Sequence, residues 1–215
     1  MPVIFDCDGV LVDSERVVNR VEADMLTRWG YPIGADDVRA AFKGRPFGEL
    51  VTWIEARVPA PLPADWIYDW AMETAHAMQR EMYEVAGVRP VIERLRDAGV
   101  PIALASQSSL GRVRFSLALC KLDGYFGPHV YVASMVARPK PAPDLYLHAA
   151  RGLHVDPTEC VVVEDSPSGV AAARAAGMKV YGYAGDEDAA ALAREGAHVF
   201  HDMRELPALL GLAER

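Results

Sequence analysis

Six short apolar runs, separated by stretches of helix-favouring sequence, constrain this chain more than any other feature in it. The first is Pro2-Val3-Ile4-Phe5, and the others lie at 101–105, 129–133, 160–163, 179–183 and 197–200. Each is of strand length and several end abruptly in a polar residue, which is the signature of buried strands in a parallel sheet. Helices are expected between them at about 88–97, 109–119, 143–152, 167–176, 186–194 and 203–211. This alternation predicts an α/β fold, a doubly wound parallel sheet with helices on both faces and right-handed crossovers.

Residues 14–84 break the alternation, for they contain no convincing strand. Val17, Val21, Met25 and Trp29 fall four apart and form one apolar helical stripe that Gly30 terminates. Further helices are expected at about 35–42, 46–58 and 64–84, the last two parted by the Pro59-Ala60-Pro61-Leu62-Pro63 breaker. All four tryptophans, Trp29, Trp53, Trp66 and Trp70, lie in this stretch. They read as the aromatic core of a small helical domain at 14–84, inserted into an α/β core made of 1–13 and 85–215.

Composition narrows the class. The 215 residues suit one domain with a large insert, and 22 basic against 30 acidic residues leave a net charge of −8. An acidic chain with no basic cluster is a poor nucleic-acid binder. No apolar run approaches the roughly 18–20 residues of a membrane helix, and no secretory signal is expected. Cys7, Cys120 and Cys160 are odd in number and widely spaced, which favours a reducing, cytoplasmic setting over a disulfide framework. A monomer is expected, since core and insert account for the apolar stripes.

In an open parallel sheet, ligands bind beyond the carboxyl ends of the strands. There the sequence places Asp6 and Asp8 after the first strand, Ser106 after the 101–105 strand and Lys140 in the loop after the 129–133 strand. Glu164 and Asp165 follow the 160–163 strand. Several carboxylates with a backbone carbonyl suit Mg²⁺, and a cation invites a phosphate, whose remaining charge calls for an ammonium and hydroxyl donors. Asp6 and Asp8 alternate on a strand end and point apart unless the backbone turns, which Gly9 permits. Ser166, Pro167 and Gly177 are also sound start and stop signals for a helix. Ser108 or Ser109 reads as the cap of the helix after Ser106, Cys7 as a core residue, and the six histidines as packing or surface residues.

These segments resemble the four motifs of the haloacid dehalogenase superfamily of phosphohydrolases. Phe5-Asp6-Cys7-Asp8-Gly9-Val10-Leu11-Val12-Asp13-Ser14-Glu15 is similar to the first, Ala103-Leu104-Ala105-Ser106 to the second, and Lys140-Pro141-Ala142-Pro143-Asp144 to the third. Val163-Glu164-Asp165-Ser166 with Gly169 is similar to the fourth. Arg138-Pro139 stands where the family more often has a glycine before the lysine. The resemblance implies a Rossmann-like core with an inserted α-helical cap domain. It implies Asp6 as nucleophile and Mg²⁺ ligand, and Asp8 as general acid/base with its carbonyl on the metal. Ser106 and Lys140 would hold the phosphoryl group, and Glu164 and Asp165 would complete the metal site. Ala41-Phe42-Lys43-Gly44-Arg45-Pro46 resembles the specificity loop of the cap, which makes Lys43, Gly44 and Arg45 the substrate-binding candidates, with Arg16, Asn19 and Arg20 near the hinge.

The expected function is therefore Mg²⁺-dependent hydrolysis of a small phosphorylated sugar or sugar acid through an aspartyl-phosphate. The subgroup resembled also contains β-phosphoglucomutase, whose pattern carries a histidine early in the first cap helix. Val18 occupies that position and favours hydrolysis. A dehalogenase lacks the second acid of the first motif, so Asp8 argues against one. A catalytically silent binding protein on the same fold would be free to lose one of these residues, and none is lost.

Overall fold

The computed structural model describes residues 1–42, 47–185 and 188–212. The chain opens with β1 (Val3–Phe5) and runs through α1 (Glu15–Arg28), α2 (Ala35–Phe42), α3 (Phe47–Glu55) and α4 (Trp66–Glu81). It continues with α5 (Val88–Asp97), β2 (Ile102–Ser106), α6 (Leu110–Leu119), α7 (Asp123–Phe126) and β3 (Val130–Val132). Then follow α8 (Asp144–Gly152), β4 (Val161–Glu164), α9 (Pro167–Ala175) and β5 (Lys179–Tyr183). The last elements are α10 (Ala189–Arg194), β6 (His198–Phe200) and α11 (Leu206–Leu209). Sequence pattern alone missed the four-residue α7, which is too short to show a period. It also took 203–211 as one helix, where a 3-10 turn over Met203–Glu205 precedes α11. There Asp202 and Glu205 form a capping box that starts the tight turn.

Two compact units emerge, Met1–Val12 with Tyr83–Arg215, and Asp13–Met82. Asp13, expected with the sheet, falls in the helical unit, and residues 83 and 84, expected with the helices, fall in the sheet unit. The latter two belong with the sheet unit because Val12 pairs with Glu84 across an isolated antiparallel bridge and Val85 N–H donates to the Leu11 carbonyl at 2.9 Å.

The sheet unit is a Rossmann-like α/β fold. Its six strands run in the order β3-β2-β1-β4-β5-β6, and every pairing is parallel. The pleat sends alternate residues to opposite faces. Ile4, Ala103, Ala105, Val162 and Val180 pack with Leu145, Tyr146 and Ala149 of α8 and Val170 and Ala173 of α9. Phe5 belongs to the other set and meets Phe126 of α7 edge to face, with ring centroids 6.4 Å apart. β1 and β4 are neighbours although β2 and β3 lie between them in sequence, so the order reverses there. That switch point is where a crevice opens at the carboxyl edge. Phe5 is level with Leu104 and Val163, so Asp6 follows β1 at the height of Ala105 and Glu164, with Ser106 one residue further along β2.

In the helical unit, Leu26, Val38, Leu50, Ile54 and Trp66 are buried, with Trp29, Trp53 and Trp70 packed against them. Trp29 meets Trp66 edge to face at 5.5 Å, and Trp53 meets Phe42 at 4.7 Å. The tryptophans are core. Gly30, at φ +86°, ends α1 as expected, with Tyr31 N–H returning to the Leu26 carbonyl. Among the described residues no helix is long and apolar enough to cross a membrane.

Candidate active site

A tight turn follows β1. Gly9 N–H donates to the Val12 carbonyl and Leu11 N–H to the Cys7 carbonyl, both at 2.9 Å. Gly9 adopts φ +81°, and a Cβ on it would collide with the Asp165 carboxylate. The position therefore needs glycine twice over, for its backbone angle and for space. Cys7 is fully buried between the two acids.

Lys140 reaches into the same place from the loop before α8. Its side chain is 1% exposed, and its Nζ donates to Asp6 Oδ1 at 2.6 Å, Glu164 Oε1 at 2.6 Å and the Ala105 carbonyl at 2.9 Å. These three acceptors take all three ammonium protons. The Tyr146 hydroxyl donates to the same Glu164 oxygen at 2.7 Å, and its ring centroid lies 4.9 Å from Lys140 Nζ. Glu164 Oε2 accepts from Asp165 N at 3.0 Å, Ser166 N at 3.0 Å and Ser166 Oγ at 2.9 Å. Ser166 Oγ also accepts from Gly169 N at 3.1 Å and caps α9, so the carboxylate sits against a helix N-terminus.

Ser106 ends β2, and of the two serines expected to cap the next helix one does so. Ser109 caps α6, accepting from Arg112 N. Ser108 is no cap: its Oγ donates to Asp8 Oδ2 at 2.8 Å, and its N–H donates to Ser106 Oγ at 3.0 Å. The Arg112 guanidinium stands 4.0 Å from Asp8 Oδ1. The turn beyond β1 and the segment before α6 are thus joined by bonds that run from Asp8 through Ser108 to Ser106.

The electrostatics follow from several buried acids facing one cation. Burial pushes the Asp6 carboxyl up to about 8, with the Glu164 and Asp8 charges adding to the effect and Lys140 opposing it. Burial pushes Glu164 the same way, but the charge and hydrogen bonds of Lys140, Tyr146 and Ser166 hold it below its ordinary value. Lys140 stays well above its ordinary range, because the Asp6 and Glu164 carboxylates outweigh the cost of burial. Asp6, Glu164 and Asp165 each offer one carboxylate oxygen, and the three atoms lie within 4.8 Å of one another. A compact, all-oxygen set of this kind fits a hard divalent cation.

Asp6, Asp8, Ser106, Lys140, Glu164 and Asp165 therefore converge. Lys43, Gly44 and Arg45 lie outside the described residues. Arg138 is 71% exposed and forks onto Asp144 at 2.8 and 3.1 Å, a local pair across the loop. Arg16 bonds Asp13 and the Glu81 carbonyl, and Arg20 bonds Asp24 and Glu81, tying α1 to the end of α4. Sequence reasoning missed Ser108, Arg112 and Tyr146. Only Tyr146 left a signal, a tyrosine on the apolar face of an expected helix, whose hydroxyl needs a buried partner.

Comparison with known proteins bears on this arrangement. A 6-phosphogluconate phosphatase of Escherichia coli is 26% identical over 210 residues, covering 96% of this chain and 93% of its own. Hexitol phosphatase A of the same species is 34% identical over 180 residues, 82% of this chain and 80% of its own. The crystal structure of a HAD family hydrolase from Deinococcus radiodurans, holding phosphate and sodium, superposes with a TM-score of 0.84 at 34% identity. It covers 98% of this chain and 94% of its own. The family model of haloacid dehalogenase-like hydrolases matches residues 3–177, a span that takes in the turn after β1, the end of β2, Lys140 and the cap of α9. With its four motifs gathered at one sheet edge, the chain belongs to the haloacid dehalogenase-like hydrolases.

Proposed function

We propose that this protein is a Mg²⁺-dependent phosphatase that hydrolyses a small phosphorylated sugar or sugar acid through an aspartyl-phosphate on Asp6. The observation that carries the reading is the clamp of Lys140 on Asp6 inside a cluster of buried acids at the sheet's switch point. The phosphatases among its relatives, and the phosphate held by the Deinococcus hydrolase, support it.

The residues present fit a hard cation. Asp6, Asp165 and the main-chain carbonyl of Asp8 would hold it, with Glu164 beside them. When bound, the ion would neutralise phosphoryl oxygens and favour the ionised form of Asp6.

Asp6 attacks phosphorus, so one carboxylate oxygen gains a bond to it as the bond to the sugar oxygen breaks. Asp8 gives its proton to the departing sugar oxygen. Asp8 then takes a proton from water, which attacks the phospho-aspartate and releases phosphate, regenerating Asp6. Lys140 holds Asp6 in place and offsets charge gathering on the phosphoryl oxygens. Ser106 accepts the Ser108 N–H and keeps its own hydroxyl proton for a phosphoryl oxygen. The chain's contribution is mainly positioning and charge neutralisation. Val18, buried in α1, offers no titratable group, so nothing there supports the second proton transfer that a mutase needs.

The test is phosphate release, with and without Mg²⁺, across phosphorylated sugars, sugar acids and short organic phosphates, with glucose 6-phosphate monitored from β-glucose 1-phosphate. Mg²⁺-dependent release concentrated on one or two compounds is expected. Isomerisation without free phosphate would overturn hydrolysis in favour of a mutase, and silence across the panel would favour a binding protein. Loss of selectivity on substitution of Lys43 or Arg45 would assign substrate choice to that segment.

A further inference from the structure

Arg112 stands in the first turn of α6, where its backbone N–H donates to the Ser109 cap at 3.3 Å. Its Nη2 lies 4.0 Å from Asp8 Oδ1, close enough for the charges to attract and too far for a hydrogen bond. Its Nε is buried without an acceptor among the described residues. A guanidinium carries five N–H donors in a fixed fork, so this one brings its charge to Asp8 and leaves its fork open. Asp8 meanwhile takes a hydrogen bond on its other oxygen from Ser108 Oγ. A buried donor left unmatched is costly, and native structures keep few of them. The side chains of Arg112 and Asp8 are 29% and 17% exposed, against 1% for Lys140, so both reach solvent where the lysine does not.

We propose that Arg112 binds a second anionic group on the substrate, a carboxylate or a further phosphoryl group carried by the departing sugar. This rests on the phosphatase reading above and narrows its substrates to sugar acid phosphates or sugar bisphosphates, over phosphates of neutral sugars. In that reading Asp8 gives its proton to the departing sugar oxygen, so the sugar comes within hydrogen-bond reach of Asp8 and lies beside the guanidinium. The reacting phosphoryl group has Lys140, Ser106 and the cation for its own charge, which leaves Arg112 for a different group. A planar fork meets a carboxylate or a phosphate with two parallel N–H···O bonds, stronger than bonds to a neutral hydroxyl because both partners are charged. A site built to bond such a group rejects the analogue that lacks it, since its own donor is then left unpaired.

The experiment compares kcat/KM with Mg²⁺ for two matched pairs of compounds, in wild type, Arg112→Gln and Arg112→Lys. 6-Phosphogluconate and sorbitol 6-phosphate differ only in a carboxylate against a hydroxymethyl group. Fructose 1,6-bisphosphate and fructose 6-phosphate differ in the second phosphoryl group. Wild type should prefer the acidic member of one pair at least about tenfold, and the pair that shows it tells a carboxylate from a phosphoryl group. Arg112→Gln should cut that preference at least about tenfold, mostly through KM, because the fork holds ground state and transition state alike. Arg112→Lys keeps the charge and loses the fork, and its preference should fall between the two. An equal loss on both members in Arg112→Gln would overturn the proposal, since a residue that only steadies Asp8 slows every substrate alike. So would a wild type that prefers neither acidic compound while hydrolysing the neutral ones. If circular dichroism shows Arg112→Gln unfolded, Arg112→Lys decides by the same ratio. No hydrolysis of any compound by wild type would instead overturn the phosphatase reading, so the two failures are distinct.

Discussion

Replacing Gly169 by alanine tests the packing of this site against the ordinary rules of helices. Within a helix, alanine is favoured over glycine by up to about 1 kcal/mol. Here the new methyl group would occupy the Glu164 carboxylate, with Oε1 nearest, so that oxygen must move. Moving it breaks the bonds from Lys140 and Tyr146, each to a buried charge and each about 1.5–3 kcal/mol. Setting a loss of roughly 3–6 kcal/mol against a gain near 1 leaves net destabilisation of about 2–5 kcal/mol. At about 2–4 °C per kcal/mol for a chain of this size, Tm should fall by roughly 4–20 °C. With Lys140 no longer braced, kcat should fall at least about tenfold. Gly111 in α6 is the control, since no atom lies near its missing Cβ and alanine there should raise Tm slightly. The assay is thermal unfolding of metal-free protein at neutral pH, alongside phosphate release. An unchanged or raised Tm for Gly169→Ala, with kcat within twofold, would refute the reasoning.

Four further substitutions have expected outcomes. Asp6→Asn should reduce turnover to background, yet stabilise the metal-free protein increasingly relative to wild type as pH rises from about 4 to about 8. The folded Asp6 carboxyl titrates near 8 against 3.8 ordinarily, so between those values the folded state holds a proton that the unfolded chain releases, and raising pH withdraws that stability. A stability gap that stays flat with pH, in urea titrations without metal, would count against this. Ser109→Ala should cost about 1 kcal/mol in urea unfolding while sparing kcat. Ser108→Ala should spare stability and lower kcat about tenfold by removing one of the bonds that orient Asp8, and the two effects exchanged would show the assignment is wrong. Arg138→Ala should leave Tm and kcat unchanged, since its pair with Asp144 is solvent-screened, and a drop in kcat would give Arg138 a role it lacks here.

The α/β architecture and the motif acids could be read from the chain because each has a local cause. Buried strands need short apolar runs, and helices between them need their own period and caps, as with Ser166, Pro167 and Gly177 around α9. The short α7 could not be read, since four residues carry no period. Nor could the boundary of the helical unit at 82–83, which a bridge between Val12 and Glu84, 72 residues apart, sets.

At the site, sequence order sufficed to name Asp6, Asp8, Ser106, Lys140, Glu164 and Asp165, because each follows a strand or sits in a motif of fixed spacing. It could not say which acid Lys140 would hold, which serine would turn back to Asp8, or that a tyrosine 18 residues before Glu164 would bond it. Those choices depend on strand register and on the depth to which α8 sinks against the sheet, both products of long-range packing. Local chemistry along the chain determines which residues are available and where elements begin and end. Only the tertiary structure, by excluding water from several carboxylates and one ammonium, decides which pairs with which, since burial makes every unmatched charge costly.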